Sequence, residues 1–178
     1  MTRTISADAT IDPERSFEDG HVDTKRLTLT HEDAERYDEH SETDVIGRAI
    51  VGVTDVDGRV LLVVHPEERI ATLPNDTVAP DEEWATVGRS WVEGAAGVDV
   101  TIEDIERVRR VEHAIENRDG VESVTYQIVF GASAPSAGTI PDGLCADNPW
   151  ELGWYGELPF RMDDAGPGIL DDIRLFLD

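Results

Sequence analysis

The strongest constraint on the fold comes from residues 46 to 98, where two apolar runs flank a tight turn and a helix-length segment ends at glycine. IGRAIVGVT and RVLLVVH lie on either side of DVDG, and Asp57-Gly58 between apolar runs predicts a β-hairpin. Residues 66 to 81 then read as a loop, broken at Pro66, Pro74 and Pro80. A helix is expected from Glu82 to about Ala96, with Asp81 as its N-cap and Gly97 closing its C-terminus. Along it Trp84, Val87, Gly88, Trp91, Val92 and Ala95 recur at helical spacing as one broad apolar stripe.

The rest of the chain extends this pattern. VDVTI and RVRRVEHAIE read as strands, followed by an Asn-Arg-Asp-Gly turn at 117 to 120 and a buried strand in VTYQIVFGAS. LGWYGELP predicts a short strand meeting a turn. GILDDIRLFL predicts a C-terminal amphipathic helix with Ile169, Leu170, Ile173, Phe176 and Leu177 on or near one face. Ahead of the hairpin, residues 1 to 24 are polar and aperiodic, RLTLT reads as a short strand, and Thr30 caps a helix in THEDAERYDEH. The expected organisation is an N-terminal extension over 1–45 and a main domain over 46–178.

Charge restricts the possible partners. The chain has 39 acidic against 15 basic residues, a net charge of -24, and Lys25 is its sole lysine. Self-repulsion on that scale destabilises a compact state in dilute salt, whereas at about 1 M salt the screening length falls to about 3 Å. The profile is that of a cytoplasmic protein from a salt-accumulating organism. Non-specific nucleic-acid binding needs cations that release counterions, and an anionic membrane would repel this surface. No apolar run approaches the ~18 residues of a membrane span, residues 1 to 20 lack a signal-peptide core, and Cys145 has no second cysteine to pair with. A soluble cytosolic protein is expected.

GRAIVGVTDVDGRVLLVVH, then Leu73-Pro74, a loop and helix ending in Gly97-Val98, and LGWYGELP before the last helix together resemble the Nudix (MutT-like) hydrolases. That family hydrolyses nucleoside diphosphates linked to another group. The resemblance covers roughly residues 46 to 178 and implies an α/β/α sandwich with a mixed β-sheet.

The family box reads G-x5-E-x7-R-E-U-x-E-E-x-G-U, where U is aliphatic. Anchored on Gly97-Val98, its first glutamate falls on Glu82 and its aliphatic position on Val92, both matching. The opening glycine falls on Asp76, the arginine on Ser90, and the other three glutamates on Trp91, Gly94 and Ala95. Those positions are related as i, i+3 and i+4 and share one helix face. Three carboxylates there would hold a hard divalent cation that polarises a pyrophosphate and orients water. Indole, hydrogen and methyl cannot.

The resemblance therefore implies a frame with most of its metal ligands absent, a weak or inactive hydrolase that binds a nucleotide-like ligand. An active pyrophosphohydrolase using Mg2+ or Mn2+ at a non-standard site around Glu82 is the first alternative, with help from Asp76, Asp81, Glu112, Glu116 or Glu122. A protein-interaction scaffold or homodimer built on the apolar helix face is the second. Sliding the box by one residue places its arginine on Arg89 and a glutamate on Glu93, so Glu82 and Glu93 are the candidate catalytic carboxylates. In the first register Arg89 and Glu93 form a surface i, i+4 pair. Arginines are scarce enough to be informative. Arg48, Arg59 and Arg69 flank the hairpin and Arg107, Arg109 and Arg110 cluster; Arg48 and Arg109 are the candidates for a ligand's phosphates, and Trp91 for stacking on its base or sugar.

Overall fold

The computed structural model describes residues 11–18, 22–33, 35, 45–135, 149–162 and 168–177. Among these residues three helices, α1 (Pro13–Glu18), α2 (Trp84–Ala96) and α3 (Ile169–Ile173), accompany eight strands. These are β1 (Asp23–His31), β2 (Gly47–Thr54), β3 (Val60–His65), β4 (Ile70–Thr72), β5 (Asn75–Val78), β6 (Thr101–Ile115), β7 (Ser123–Ser133) and β8 (Glu151–Tyr155). The strands form one mixed sheet in the order β1-β6-β7-β2-β3-β4, with β5 also on β2 and β8 also on β3. β1–β6 and β7–β2 are parallel; β6–β7 and β2–β3 are antiparallel.

β2 is covered on both faces, which is why its sequence is continuously apolar rather than alternating. Ala49, Val51 and Val53 face α2 and join Trp84, Ala85, Val92, Ile128 and Phe130 in one cluster. Ile50 faces the other way and packs with Leu62, Val64, Val129, Ile173 and Leu177. Phe17 of α1 packs against the α2 side, so the layers run helix, sheet, helix, as expected. Glycines set how closely the layers approach. A Cβ on Gly88 of α2 would lie 2.7 Å from Val51 Cγ2, and one on Gly52 would lie 2.1 Å from the Phe176 ring.

The hairpin turn is held by a buried carboxylate. Asp55 Oδ1 accepts the Asp57 and Arg59 amides at 2.9 and 2.8 Å, and Gly58 sits at φ 79. Gly97 closes α2 in the left-handed region, φ 67, donating its amide to Glu93 O at 3.1 Å.

Several expectations are corrected. α2 starts at Trp84, not Glu82; its N-cap is Glu83 without a side-chain cap, because Glu82 is tied into a turn with Ala79. The expected loop at 66–81 contains β4 and β5, short pieces stabilised by pairing with β3 and β2 that leave no local apolar alternation. VDVTI and RVRRVEHAIE merge, from Thr101 onward, into β6, whose pairing shifts register twice against β7. Thr30 lies within β1 rather than at a helix start, and 34 and 36–44 fall outside the described residues. α1 was not anticipated, and the last helix is regular only to Ile173. Cys145, His21 and His40 also fall outside the described residues. Among the described residues, no helix is long and apolar enough to cross a membrane.

Candidate functional site

Two pockets on opposite faces of the sheet divide the candidate residues between them. Asn75 and Asp76 mark the division. As neighbours on β5 their side chains point to opposite faces, and each lines a different pocket.

The α2-side pocket, about 450 Å3, is lined by Asp76, Glu82, Glu83, Thr86, Val87, Ser90 and Trp91. Glu82 is exposed, and its Oε1 accepts the Ala79 amide at 3.0 Å while its own amide donates to Ala79 O at 3.0 Å. The carboxylate therefore closes the turn before the helix. Trp91 is half-buried and packs on the core cluster. Ala95 is buried, and a side chain at Gly94 would meet nothing within 4 Å. Glu93 Oε1 accepts Arg89 Nε at 2.8 Å, the expected surface pair, and lines neither pocket.

A Mg2+ ion wants near-octahedral oxygen ligation. α2 offers no side-chain oxygen at 91, 94 or 95, and among the described residues no group of three or more His, Cys, Asp or Glu side chains is placed to hold a metal. Asp81, Glu112, Glu116 and Glu122 do not line this pocket; Glu112 instead lies 3.5 Å from Arg110, and Glu122 lies 3.7 Å from Arg118. These residues do not fit a divalent-metal centre.

The pocket on the other face, about 370 Å3, is lined by both Arg48 and Arg109. Strand register brings them together. Lys25 of β1 is paired with Arg109 of β6, Arg109 with Gln127 of β7, and Gln127 with Arg48 of β2. In-register residues on adjacent strands share a face, so four strands present one transverse row of hydrogen-bond donors. In a chain of net charge -24, three cations in one row form a pronounced local exception.

The row is anchored from α3. Asp172, 4% exposed, receives Arg109 through Nη2 at 2.6 Å and Nη1 at 3.1 Å, and Arg107 Nη1 at 2.8 Å. Arg107 Nε also reaches Asp23 of β1 at 2.7 Å. Burial opposes the Arg107 charge, but hydrogen bonds to Asp23 and Asp172 outweigh it and hold the guanidinium above its ordinary range. Arg109 Nη1 also donates to Gln127 Oε1 at 2.6 Å.

Arg48 donates to Asn75 Oδ1, and Asn75 Nδ2 donates to Leu73 O at 2.8 Å. Among the described residues Arg48 has no carboxylate partner and the Gln127 Nε2 amide meets no acceptor. The pocket thus uses its side-chain acceptors internally and leaves donors over. Leu27 and Leu29 of β1, Ile50, Ile169 and Trp150 supply apolar walls, with His65 meeting Trp150 edge-on at 5.1 Å.

Of the sequence candidates, Arg48 and Arg109 share one pocket, Glu82 and Trp91 share the other, and Glu93 stands apart. Asn75, Gln127 and Asp172 were not singled out. The one available signal was Asp172 itself, a carboxylate one position from Ile173 in an apolar C-terminal segment.

No family model and no curated protein matches this chain. Among solved structures it is similar to a UDP-X diphosphatase, at 14% identity and a TM-score of 0.43, over 83% of this chain and 60% of that one. It is also similar to the mutator MutT protein from Bacillus halodurans, at 17% identity and a TM-score of 0.41, over 61% and 66% of the two chains. A third similarity is to the Bacillus subtilis pyrophosphohydrolase BsRppH, at 15% identity and a TM-score of 0.41, over 82% and 95%. The chain spans less than two thirds of the length of the first two.

Proposed function

We propose that this protein is a Nudix-type domain that binds a nucleotide-like anion in the Arg48–Arg109 pocket and hydrolyses it weakly or not at all. The observation that carries this reading is the row Lys25, Arg109, Gln127 and Arg48, with Arg48 free of any carboxylate partner among the described residues. Guanidinium groups recognise phosphate through paired N–H donors. A pocket whose leftover groups are donors selects an acceptor-rich ligand, and its leucine, isoleucine and tryptophan walls suit a base or sugar.

Weak hydrolysis follows from α2. Without carboxylates at 91, 94 and 95 the helix lacks the side chains that would concentrate a divalent cation and ionise a water, and Asp76, Glu82 and Glu83 do not form a ligand group in their place. The acidic exterior fits the cytoplasm of a salt-accumulating cell, where short screening lengths remove its self-repulsion.

The test is product release from ADP-ribose, nucleoside triphosphates and dinucleoside polyphosphates in molar KCl with Mg2+ or Mn2+, beside direct titration of the same compounds and of nucleoside monophosphates. Binding of at least one of these compounds and turnover of none are expected, in the native protein and in Glu82→Gln alike. Turnover that vanishes in Glu82→Gln would overturn the reading in favour of a hydrolase with its metal at Glu82. Absence of binding by every compound would remove the nucleotide pocket as well.

A further inference from the structure

We propose that the pocket selects a ligand with a single anionic group on a flat apolar body, which among nucleotides means a nucleoside monophosphate rather than a diphosphate. This rests on the nucleotide-binding reading and narrows it.

Charge count is the first ground. Among the residues lining the pocket, Arg48 and Arg109 bring two positive charges and Asp172 returns one, leaving a net of one; Arg107, outside the lining, is shared between Asp172 and Asp23. Arg109 carries no spare charge, because Asp172 engages it through both oxygens. Lys25 is exposed and lies outside the pocket lining. Among the described residues of the pocket, the cation without a carboxylate partner is Arg48. A second phosphate in this pocket would be a desolvated anion without a partner, which is strongly unfavourable.

Donor geometry is the second ground. Arg48 and Gln127 are direct partners across the parallel β7–β2 pair, so their side chains rise from adjacent strands about 4.8 Å apart. Both have N–H groups to spare, and the two can close on the oxygens of one phosphate. The next donor in the row, Arg109, has both Nη atoms committed to Gln127 and Asp172.

Shape is the third. Small-molecule pockets run from about 300 to 1,000 Å3, and 370 Å3 lies near the lower bound. Leu27 and Leu29 come from the N-terminal strand, so β1 helps to build the wall against which a base would lie. Trp150, in a T-shaped contact with His65, supplies an aromatic surface in the same pocket.

The experiment is calorimetric titration of the full chain, at one fixed KCl concentration, with adenosine and guanosine as nucleoside, 5′-monophosphate and 5′-diphosphate, and with inorganic phosphate. The monophosphate of at least one base is expected to bind about tenfold or more tighter than its nucleoside, the increment of a charge-assisted contact, and tighter than its diphosphate. Arg48→Met and, separately, Gln127→Leu should each weaken the monophosphate about tenfold or more and abolish its preference over the nucleoside. Leu27→Ser should weaken nucleoside and monophosphate by the same factor. A diphosphate that binds as tightly as the monophosphate, or tighter, would overturn the single-anion proposal and leave nucleotide binding standing. If neither mono- nor diphosphate binds, both readings fall. Binding of inorganic phosphate alone would overturn the apolar half of the proposal.

Discussion

Asp172 Oδ1 lies 2.6 Å from Arg109 Nη2 and 2.8 Å from Arg107 Nη1, and all three residues are buried. One carboxylate from the C-terminal helix thus bridges two cations on a strand 63 and 65 residues away, and Asp23 supplies the second negative charge. Asp172→Ala leaves two buried guanidinium groups short of a counter-charge and is expected to cost about 3–5 kcal/mol. Chemical denaturation measures it. A loss below about 1 kcal/mol would mean that water reaches both arginines once the carboxylate is gone.

Gly52 and Phe176 are expected to be coupled. The ring lies where a Cβ would stand, 2.1 Å from its ideal position, so Gly52→Ala must displace the phenyl group at about 1–3 kcal/mol. With Phe176→Ala in the background the added methyl finds room. The double variant should lose less than the sum of the single losses by 0.5 kcal/mol or more. Strict additivity in a double-mutant cycle would remove this contact as the reason for glycine at 52.

Stability should fall in mild acid through His113. Burial first, and the neighbouring His31 second, hold its pKa below the ordinary histidine value. The ring stacks on His31 with centroids 5.5 Å apart, and its Nε2 lies 2.9 Å from Thr125 Oγ1. Because the folded pKa is depressed, the unfolded chain takes up the proton first. The contribution is complete above the unfolded value near 6.5 and is lost as pH falls through the folded value. Comparing native protein with His113→Asn from pH 7.5 to 5.5 isolates it from the general titration of the acids. Parallel curves for the two proteins would sink the prediction.

Salt should stabilise this protein. Raising KCl from about 0.1 to 1 M shortens the screening length from about 10 to 3 Å, which weakens repulsion within a surface of net charge -24. The exposed pairs that salt also weakens, such as Arg89–Glu93, are worth only a few tenths of a kcal/mol each. The thermal midpoint should therefore rise with KCl. A falling midpoint would show that ion pairing outweighs net repulsion.

The sequence by itself determined whatever depends on neighbours along the chain. Asp57-Gly58 specified the hairpin because the turn requires positive φ at Gly58, and Gly97 ended α2 for the same reason. The apolar run of IGRAIVGVT specified a strand, and a helix spacing of three and four residues was enough to show that 91, 94 and 95 share a face without carboxylates. Tertiary structure alone decided the rest. β4 and β5 exist through partners on other strands, and α2 lost its expected cap to a turn between Ala79 and Glu82. The row of Lys25, Arg109, Gln127 and Arg48 comes from four strands whose order differs from their order in the chain. Strand register is a long-range property, and a slip of one residue would turn each of those side chains to the opposite face. The arginines were visible as scarce charges, but only the paired strands put them in one pocket.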